Sequence, residues 1–385
     1  ARDLSGIEAP LLALVRALED RLSAAGDELE APDRIRIEGA LRGLERRARH
    51  LLPAWRHLLQ SLAEEDFESG EPDPDKAQAP AQTIDWFSTE LHRGRVADVA
   101  LNRHYVDPSL PLAEFVLKPA HGVLVASATL SDGYVKDAGE DDAPDDAPDA
   151  FSLARQRTGA NHLVMGAKTA RIASPFDYAA QARLFVVTDV SREDARSVGA
   201  AMLALFKAAR GGGLGLFTAI RRLRAVYDQI ATPLSEAGLT LYAQHVDPLD
   251  VSDLISVFRA ERHSCLLGTD AVRDGVDVPG QALRLIAFDR VPWPRPDCLH
   301  RARRLHFGNK IYDDALTRAR LAQAFGRLIR KKDDRGVFVM LDSAAPTRLF
   351  SGLPEGVVLQ RCTLAEALAS IPRFLYPEEV VNNDA

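Results

Sequence analysis

At 385 residues the chain exceeds what one hydrophobic core usually supports, so two or three domains are expected, and 46% hydrophobic residues are ample to fill them. A net charge of −7 excludes a uniformly basic nucleic-acid binder, and no apolar run reaches membrane-spanning length. Cys265, Cys298 and Cys362 are too far apart for a disulfide framework, a zinc site or an iron–sulfur ligand run, and Cys265 within CLLG reads as a small buried hydrophobe.

Leu4, Ile7, Leu11, Leu14, Leu18 and Leu22 recur at alternating three- and four-residue steps. After a break at Pro32, Ile37, Leu41, Leu44, Ala48, Leu51, Trp55, Leu58 and Leu62 do the same. This spacing predicts two long amphipathic helices. The loop between them is short enough to fold them back on each other, so an antiparallel α-helical hairpin is expected over residues 1–95; a dimerising coiled coil is the alternative. The following EEDFESGEPDPDKAQAPAQ reads as a loop.

From Val96 the pattern turns strand-like. Short apolar runs stand at 122–130, 183–190, 213–220, 239–246, 263–270, 283–291 and 336–343, separated mostly by helical stretches such as 192–210, 219–231 and 249–261. Buried strands alternating with helices predict an α/β fold, a parallel sheet with helices on both faces, preceded by the helical hairpin. The segment DAGEDDAPDDAPD, residues 137–149, holds seven carboxylates and no cation, so without it the −7 charge would be zero; it reads as a solvated loop. Arginines concentrate later, at Arg301, Arg303, Arg304, Arg318, Arg320, Arg327 and Arg330, followed by Lys331 and Lys332. A polyanion would bind at that basic end.

Ligands on parallel sheets sit beyond the carboxyl ends of the strands. Polar residues stand there: Ser127-Ala128-Thr129 after VLVA, Thr218 with Arg221 and Arg222 after LGLF, and Asp270 with RDGVDVPG after CLLGT. Gln323, Arg327 and Arg330, at i, i+4 and i+7, would share one face of a helix, with Leu321, Phe325 and Leu328 on a neighbouring face. In order and spacing these segments resemble the later motifs of superfamily 2 helicases of the DinG and XPD-like family. VLVASATLS resembles motif III, IASPFDY the entry to the second motor domain, LGLFTAIRRL motif IV, LLGTDAVRDGVDVPGQALRLIAFDRVPWPRP motif V, and LAQAFGRLIRKKDDRGVFVMLD motif VI.

The resemblance covers most of residues 96–360 and implies a RecA-like sheet. Its implied layout is an Arch-like hairpin at 1–95, the motif III edge of a first motor domain at 96–174, and a second motor domain at 175–385. It further implies that Arg327 and Arg330 are arginine fingers for the γ-phosphate of ATP, since a planar guanidinium offers positive charge in a fixed direction. Gln323 would bond the phosphates or the attacking water. Asp274, Gly275 and Asp277 would contact the ribose or the motif VI arginines, and Ser127, Ala128 and Thr129 would couple the two motors. Thr218 and Arg221 would meet single-stranded DNA. Thr218, Asp274 and Arg330 are expected at one edge of the sheet. Two departures stand out: Arg273-Asp274 replaces the family's Trp-Glu pair, and Asp342 is followed by Ser343 and Ala344 where the family commonly has Asp-x-Arg.

No glycine is followed by lysine, so the chain lacks a G-x-x-x-x-G-K-[ST] loop, and no strand ends in an acidic box. ARGGGLGLF precedes a strand and reads as a turn. The chain is therefore expected to be the carboxyl-terminal part of a larger helicase, inactive as an ATPase by itself, with ATP and Mg2+ as cofactors of the whole protein. Its expected partners are single-stranded DNA and an amino-terminal motor domain. Iron–sulfur ligands, present in many members of the family, would lie upstream and are not encoded here. With no signal-peptide pattern and no disulfide framework, the expected compartment is the reducing cytoplasm. The alternative is a nucleic-acid-binding or regulatory module of the same fold that does not hydrolyse ATP. A dinucleotide enzyme is disfavoured because no G-x-G-x-x-G follows a strand.

Overall fold

The computed structural model describes residues 2–25, 29–68, 82–92, 94–131, 151–275, 278 and 280–377. The chain divides into two compact units, Ala1–His104 and Tyr105–Ala385.

In the first unit a helix spans Arg2–Ala25, and a second helical run continues from Ala31–Arg46 through a π-helical turn, Arg47–Leu51, into Leu52–Glu68. The second run folds back along the first: Arg56 pairs with Glu8, and Val15, Ala48 and Leu52 are buried. The hairpin read from the heptad-like spacing is therefore formed within one chain. Two long strands follow, β1 (Thr83–His92) and β2 (Arg95–Tyr105), forming a two-stranded sheet. This strand pair straddles residue 95 and was not foreseen as a hairpin. Arg103 clamps it, pairing with Asp85 across the strands and donating to Ser61 Oγ.

The second unit is built on seven parallel strands in the order β5-β6-β4-β7-β8-β3-β9. They are β3 (Ala182–Val187), β4 (Gly213–Leu216), β5 (Thr240–Ala243), β6 (Ser264–Gly268), β7 (Leu285–Phe288), β8 (Gly336–Met340) and β9 (Leu359–Cys362). Helices Ala195–Ala208, Ile220–Glu236 and Leu364–Leu375 cover one face; Val251–Ala260, Asp270–Gly275 and Asn309–Phe325 cover the other. Alternation within each strand divides the core. Leu214 and Leu216 of β4 enter the second layer, while a Cβ on Gly213 or Gly215 would meet Phe206 at 2.4 Å or Leu267 at 2.7 Å. The glycines let the Ala195–Ala208 helix lie close to the sheet. Asp194, Asp250 and Asp297 cap three helices by accepting backbone N–H bonds, and Thr363 with Glu366 forms a capping box.

Six of the seven strands expected from apolar runs are present, and β9 was missed. The exception is 122–130. This segment is irregular and exposed, with Leu124 91% accessible, and among the described residues no strand pairs with it. Its apolar residues satisfy the composition of a buried strand, but a strand forms only where a neighbour completes its hydrogen-bond ladder.

Candidate functional site

The Asn309–Phe325 helix ends at Gly326, whose N–H bonds to the Ala322 carbonyl. Gln323 is thus on the last helical turn, exposed, while Arg327 is half-buried in the turn that follows and Arg330 lies beyond it, exposed. The expected single helical face of Gln323, Arg327 and Arg330 is therefore corrected: the helix stops two residues after Gln323. Asp334 draws the chain into a tight return, its carboxylate accepting from the N–H of Arg330 and of Lys331, both at 2.8 Å. Gln181, just before β3, donates its side-chain amide to the carbonyls of Lys331, Lys332 and Asp334 at 2.9–3.1 Å. Leu321, Phe325 and Leu328 are buried against the sheet, as their spacing required.

Arg330 therefore sits at the amino edge of the sheet, ahead of β8, whereas Thr218 follows β4 at the carboxyl edge. Asp274 and Gly275 belong to the Asp270–Gly275 helix, which begins at the carboxyl end of β6. The expected convergence of Thr218, Asp274 and Arg330 on one edge is corrected for Thr218 and Arg330, because Thr218 follows the end of β4 while Arg330 precedes the start of β8. What the motif V and VI segments share is a face: Val272 and Val278 lie in the same apolar layer as Leu321, Phe325 and Leu328. The side chain of Asp274, and Asp277 altogether, lie outside the described residues.

Ser127, Ala128 and Thr129 form an exposed turn in which Thr129 N–H donates to Ser127 Oγ at 3.2 Å. Ser127 and Thr129 meet Gln323 in one cleft of about 270 Å3, which Arg157, Thr158 and Arg318 also line. The motif III and motif VI segments, remote in sequence, are thereby brought together. The sequence showed Arg318 only as part of a basic run and gave no signal for Arg157.

At the carboxyl edge, Thr218 is half-buried and Arg221 exposed. Thr218 N–H donates to Asp289 Oδ1 at 3.2 Å, and Arg222 Nε lies 2.9 Å from Asp289 Oδ2. Asp289 is fully buried; burial pushes its carboxyl up to about 6 against the downward pull of Arg222 and of the Thr218 N–H. Beside it, Arg192 donates to Asp342 Oδ1 at 2.9 Å, Val291 N–H to Asp342 Oδ2 at 3.3 Å, and Arg290 reaches the Arg192 carbonyl and Glu193, each at 2.9 Å. These partners were missed, although Asp289 after LIAF and Asp342 after VFVML repeat one signal, a carboxylate ending a buried strand. Ser109, Asp107 and His162 also cluster, with Ser109 Oγ 2.6 Å from Asp107 Oδ1 and 3.0 Å from His162 Nε2. Ser109 is only 2% exposed and its hydroxyl faces the carboxylate, so the cluster ties two loops together instead of presenting a nucleophile. Among the described residues no group of three His, Cys, Asp or Glu could hold a metal ion, and no helix is long and apolar enough to cross a membrane.

Residues 202–352 match the helicase C-terminal domain family. The chain is 36% identical over 188 residues to the ATP-dependent helicase DinG of Mycobacterium tuberculosis, an alignment covering 46% of this chain and 28% of that protein. It is 26% identical over 276 residues to the 3'-5' exonuclease DinG of Bacillus subtilis, covering 68% of this chain and 28% of that protein. A solved XPD helicase aligns over 47% of this chain and 35% of its own, at 17% identity and a TM-score of 0.38. The chain spans less than a third of the length of these curated relatives, at 28% of each. Residues 202–352, which hold the motif IV, V and VI segments and most of the parallel sheet, thus match the helicase C-terminal domain family and are similar to the corresponding part of proteins named DinG.

Proposed function

We propose that this chain is the carboxyl-terminal motor part of an ATP-dependent DNA helicase of the DinG and XPD-like kind. The cleft shared by Ser127, Thr129 and Gln323 carries this reading, because the segment that resembles motif III and the helix that resembles motif VI line it together. The match of residues 202–352 to a helicase C-terminal domain supports it.

In this reading Arg327 and Arg330 enter the γ-phosphate environment of an ATP held by an amino-terminal motor domain. Hydrolysis spreads negative charge over the phosphoryl oxygens, and guanidinium groups stabilise that charge most when their direction is fixed. The Asp334 return fixes the backbone at Arg330. Gln323 bonds the phosphates or the attacking water, and Asp274, Gly275 and Asp277 contact the ribose or the motif VI arginines. Ser127, Ala128 and Thr129 transmit nucleotide state between the motors. Magnesium would neutralise the phosphates of bound ATP, and among the described residues this chain offers no ligand cluster for it. Thr218 and Arg221 contact backbone phosphates of single-stranded DNA at the carboxyl edge of the sheet.

The chain contains no phosphate-cradling Gly-Lys loop, so alone it should bind ATP too weakly to raise its melting temperature and should release no phosphate from it. It should still bind single-stranded DNA weakly and without sequence preference. Phosphate-release and fluorescence-anisotropy assays on the chain test both points; robust ATP hydrolysis, or tight sequence-specific DNA binding, would overturn the proposal.

A further inference from the structure

We propose that the cleft between the Ser152–Thr158 and Asn309–Phe325 helices is a phosphoryl-binding site whose principal ligands are Arg157 and Arg318. Neither arginine belongs to the helicase motifs quoted above. The cleft is about 270 Å3 and, among the described residues, its lining includes two guanidinium groups, one carboxamide and several hydroxyls but no Asp or Glu. Among the described residues neither Arg157 nor Arg318 pairs with a carboxylate, and Arg318 Nε is buried with no hydrogen-bond partner. A buried N–H of a charged group left without an acceptor is costly, so an acceptor supplied from outside would be held there.

The chemistry selects an oxyanion of phosphate type. Two arginine forks suit the tetrahedral oxygens of a phosphoryl group, which accept in pairs. Ser127 Oγ accepts from Thr129 N–H and lies 3.4 Å from Thr129 Oγ1, so that one of the two hydroxyl protons is engaged between them and the other can turn to an anion, and Gln323 adds an amide donor. Ala319 and Ala322 form a low wall without bulky side chains, which leaves room for the ligand and lowers the local dielectric. At about 270 Å3 the space falls just below the roughly 300–1,000 Å3 typical of small-molecule pockets, so it suits a phosphoryl or pyrophosphoryl group better than a whole nucleotide. Such a group could come from a nucleotide or from a nucleic-acid backbone.

Calorimetric titration of the chain with pyrophosphate at low salt tests the site. Arg157→Gln and Arg318→Gln should each weaken binding about tenfold to a hundredfold, the equivalent of one charge-assisted contact, and the double variant should abolish it. Arg259→Gln, an exposed arginine on the Val251–Ala260 helix, should leave binding unchanged. Arg318→Lys keeps the charge but not the fork; it guards against misfolding of the glutamine variants and should bind measurably but less tightly. No binding by the wild-type chain, or equal losses in Arg259→Gln, would overturn the proposal. Displacement of pyrophosphate by oligothymidylate assigns the site to the backbone, displacement by ATP only at high concentration, in keeping with the weak nucleotide binding expected of the chain alone, assigns it to nucleotide, and displacement by neither counts against the site. Since Arg327 and Arg330 take no part in this titration, its failure leaves their proposed role to be judged separately.

Discussion

Asp289 meets Arg222 at 2.9 Å, at the carboxyl end of β7, in a position where the carboxylate has no access to solvent. Burial holds the Asp289 carboxyl at about 6, above its ordinary 3.8. The folded chain therefore holds this proton more tightly than the unfolded one. The group's contribution to stability is complete below about pH 4 and is lost as pH rises through about 6. Asp289→Asn should flatten that part of the stability curve in urea titrations between about pH 4 and 7. Arg222→Met, which strands the carboxylate without its counter-ion, should cost about 3–5 kcal/mol at neutral pH. An unaltered pH slope in the first variant would show that Asp289 titrates as an exposed carboxyl does.

Gly268, at the end of β6, sits where a Cβ would lie 2.5 Å from Val272 Cβ, so the helix that opens the motif V segment can start directly on the strand end. Gly268→Ala should destabilise the second unit by about 1–3 kcal/mol, read from denaturant midpoints. Gly39 gives the opposite sign. It lies within the Ala31–Arg46 helix with nothing within 4 Å of its added Cβ, so Gly39→Ala should stabilise the first unit by about 0.5–1 kcal/mol.

Asp334 holds Arg330 by its backbone, not its side chain. Asp334→Ala removes two backbone N–H acceptances at once and should cost about 1–3 kcal/mol of stability. If the chain serves a helicase as proposed, the same change in the longer protein should also lower ATP turnover while leaving the KM for ATP little changed, because the arginine is misplaced and not removed. A loss of stability with turnover intact would confine Asp334 to a structural role.

These two backbone contacts also show where the sequence stopped being informative. The apolar runs located six of the parallel strands, because a strand buried on both faces needs a nearly unbroken apolar stretch. The same composition failed at 122–130, where Leu124 and its neighbours have no described strand beside them: apolarity reports a capacity for burial, not the presence of a partner. β9, reading LQRC, was missed because an edge strand is polar on its open side. The continuation of the Asn309–Phe325 helix through Arg330 was expected from spacing alone. The helix gives way after Phe325 to a tighter turn, with Arg327 N–H on the Ala324 carbonyl and Leu328 N–H on that of Phe325, and Asp334, several residues downstream, caps the return that follows. Arg157 was invisible for a related reason: its neighbour Arg318 is far along the chain, and only folding brings the two into one cleft.

Arg221 is exposed beside Thr218 at the carboxyl edge. If it meets a backbone phosphate, Arg221→Ala should weaken single-stranded DNA binding for all sequences alike and reduce the log–log salt slope by about 0.7, the share of one phosphate. Anisotropy titrations over a range of salt concentrations measure both. An unchanged slope would remove Arg221 from the DNA track.

The most direct measurement of the proposed function is steady-state ATP turnover by this chain joined to an amino-terminal motor domain and carrying Arg327→Ala or Arg330→Ala, alongside nucleotide affinity measured independently. Arginines that stabilise the charge developing on the γ-phosphate predict a fall in kcat of about three to five orders of magnitude with little change in nucleotide binding. Turnover near wild type in both variants would contradict that role.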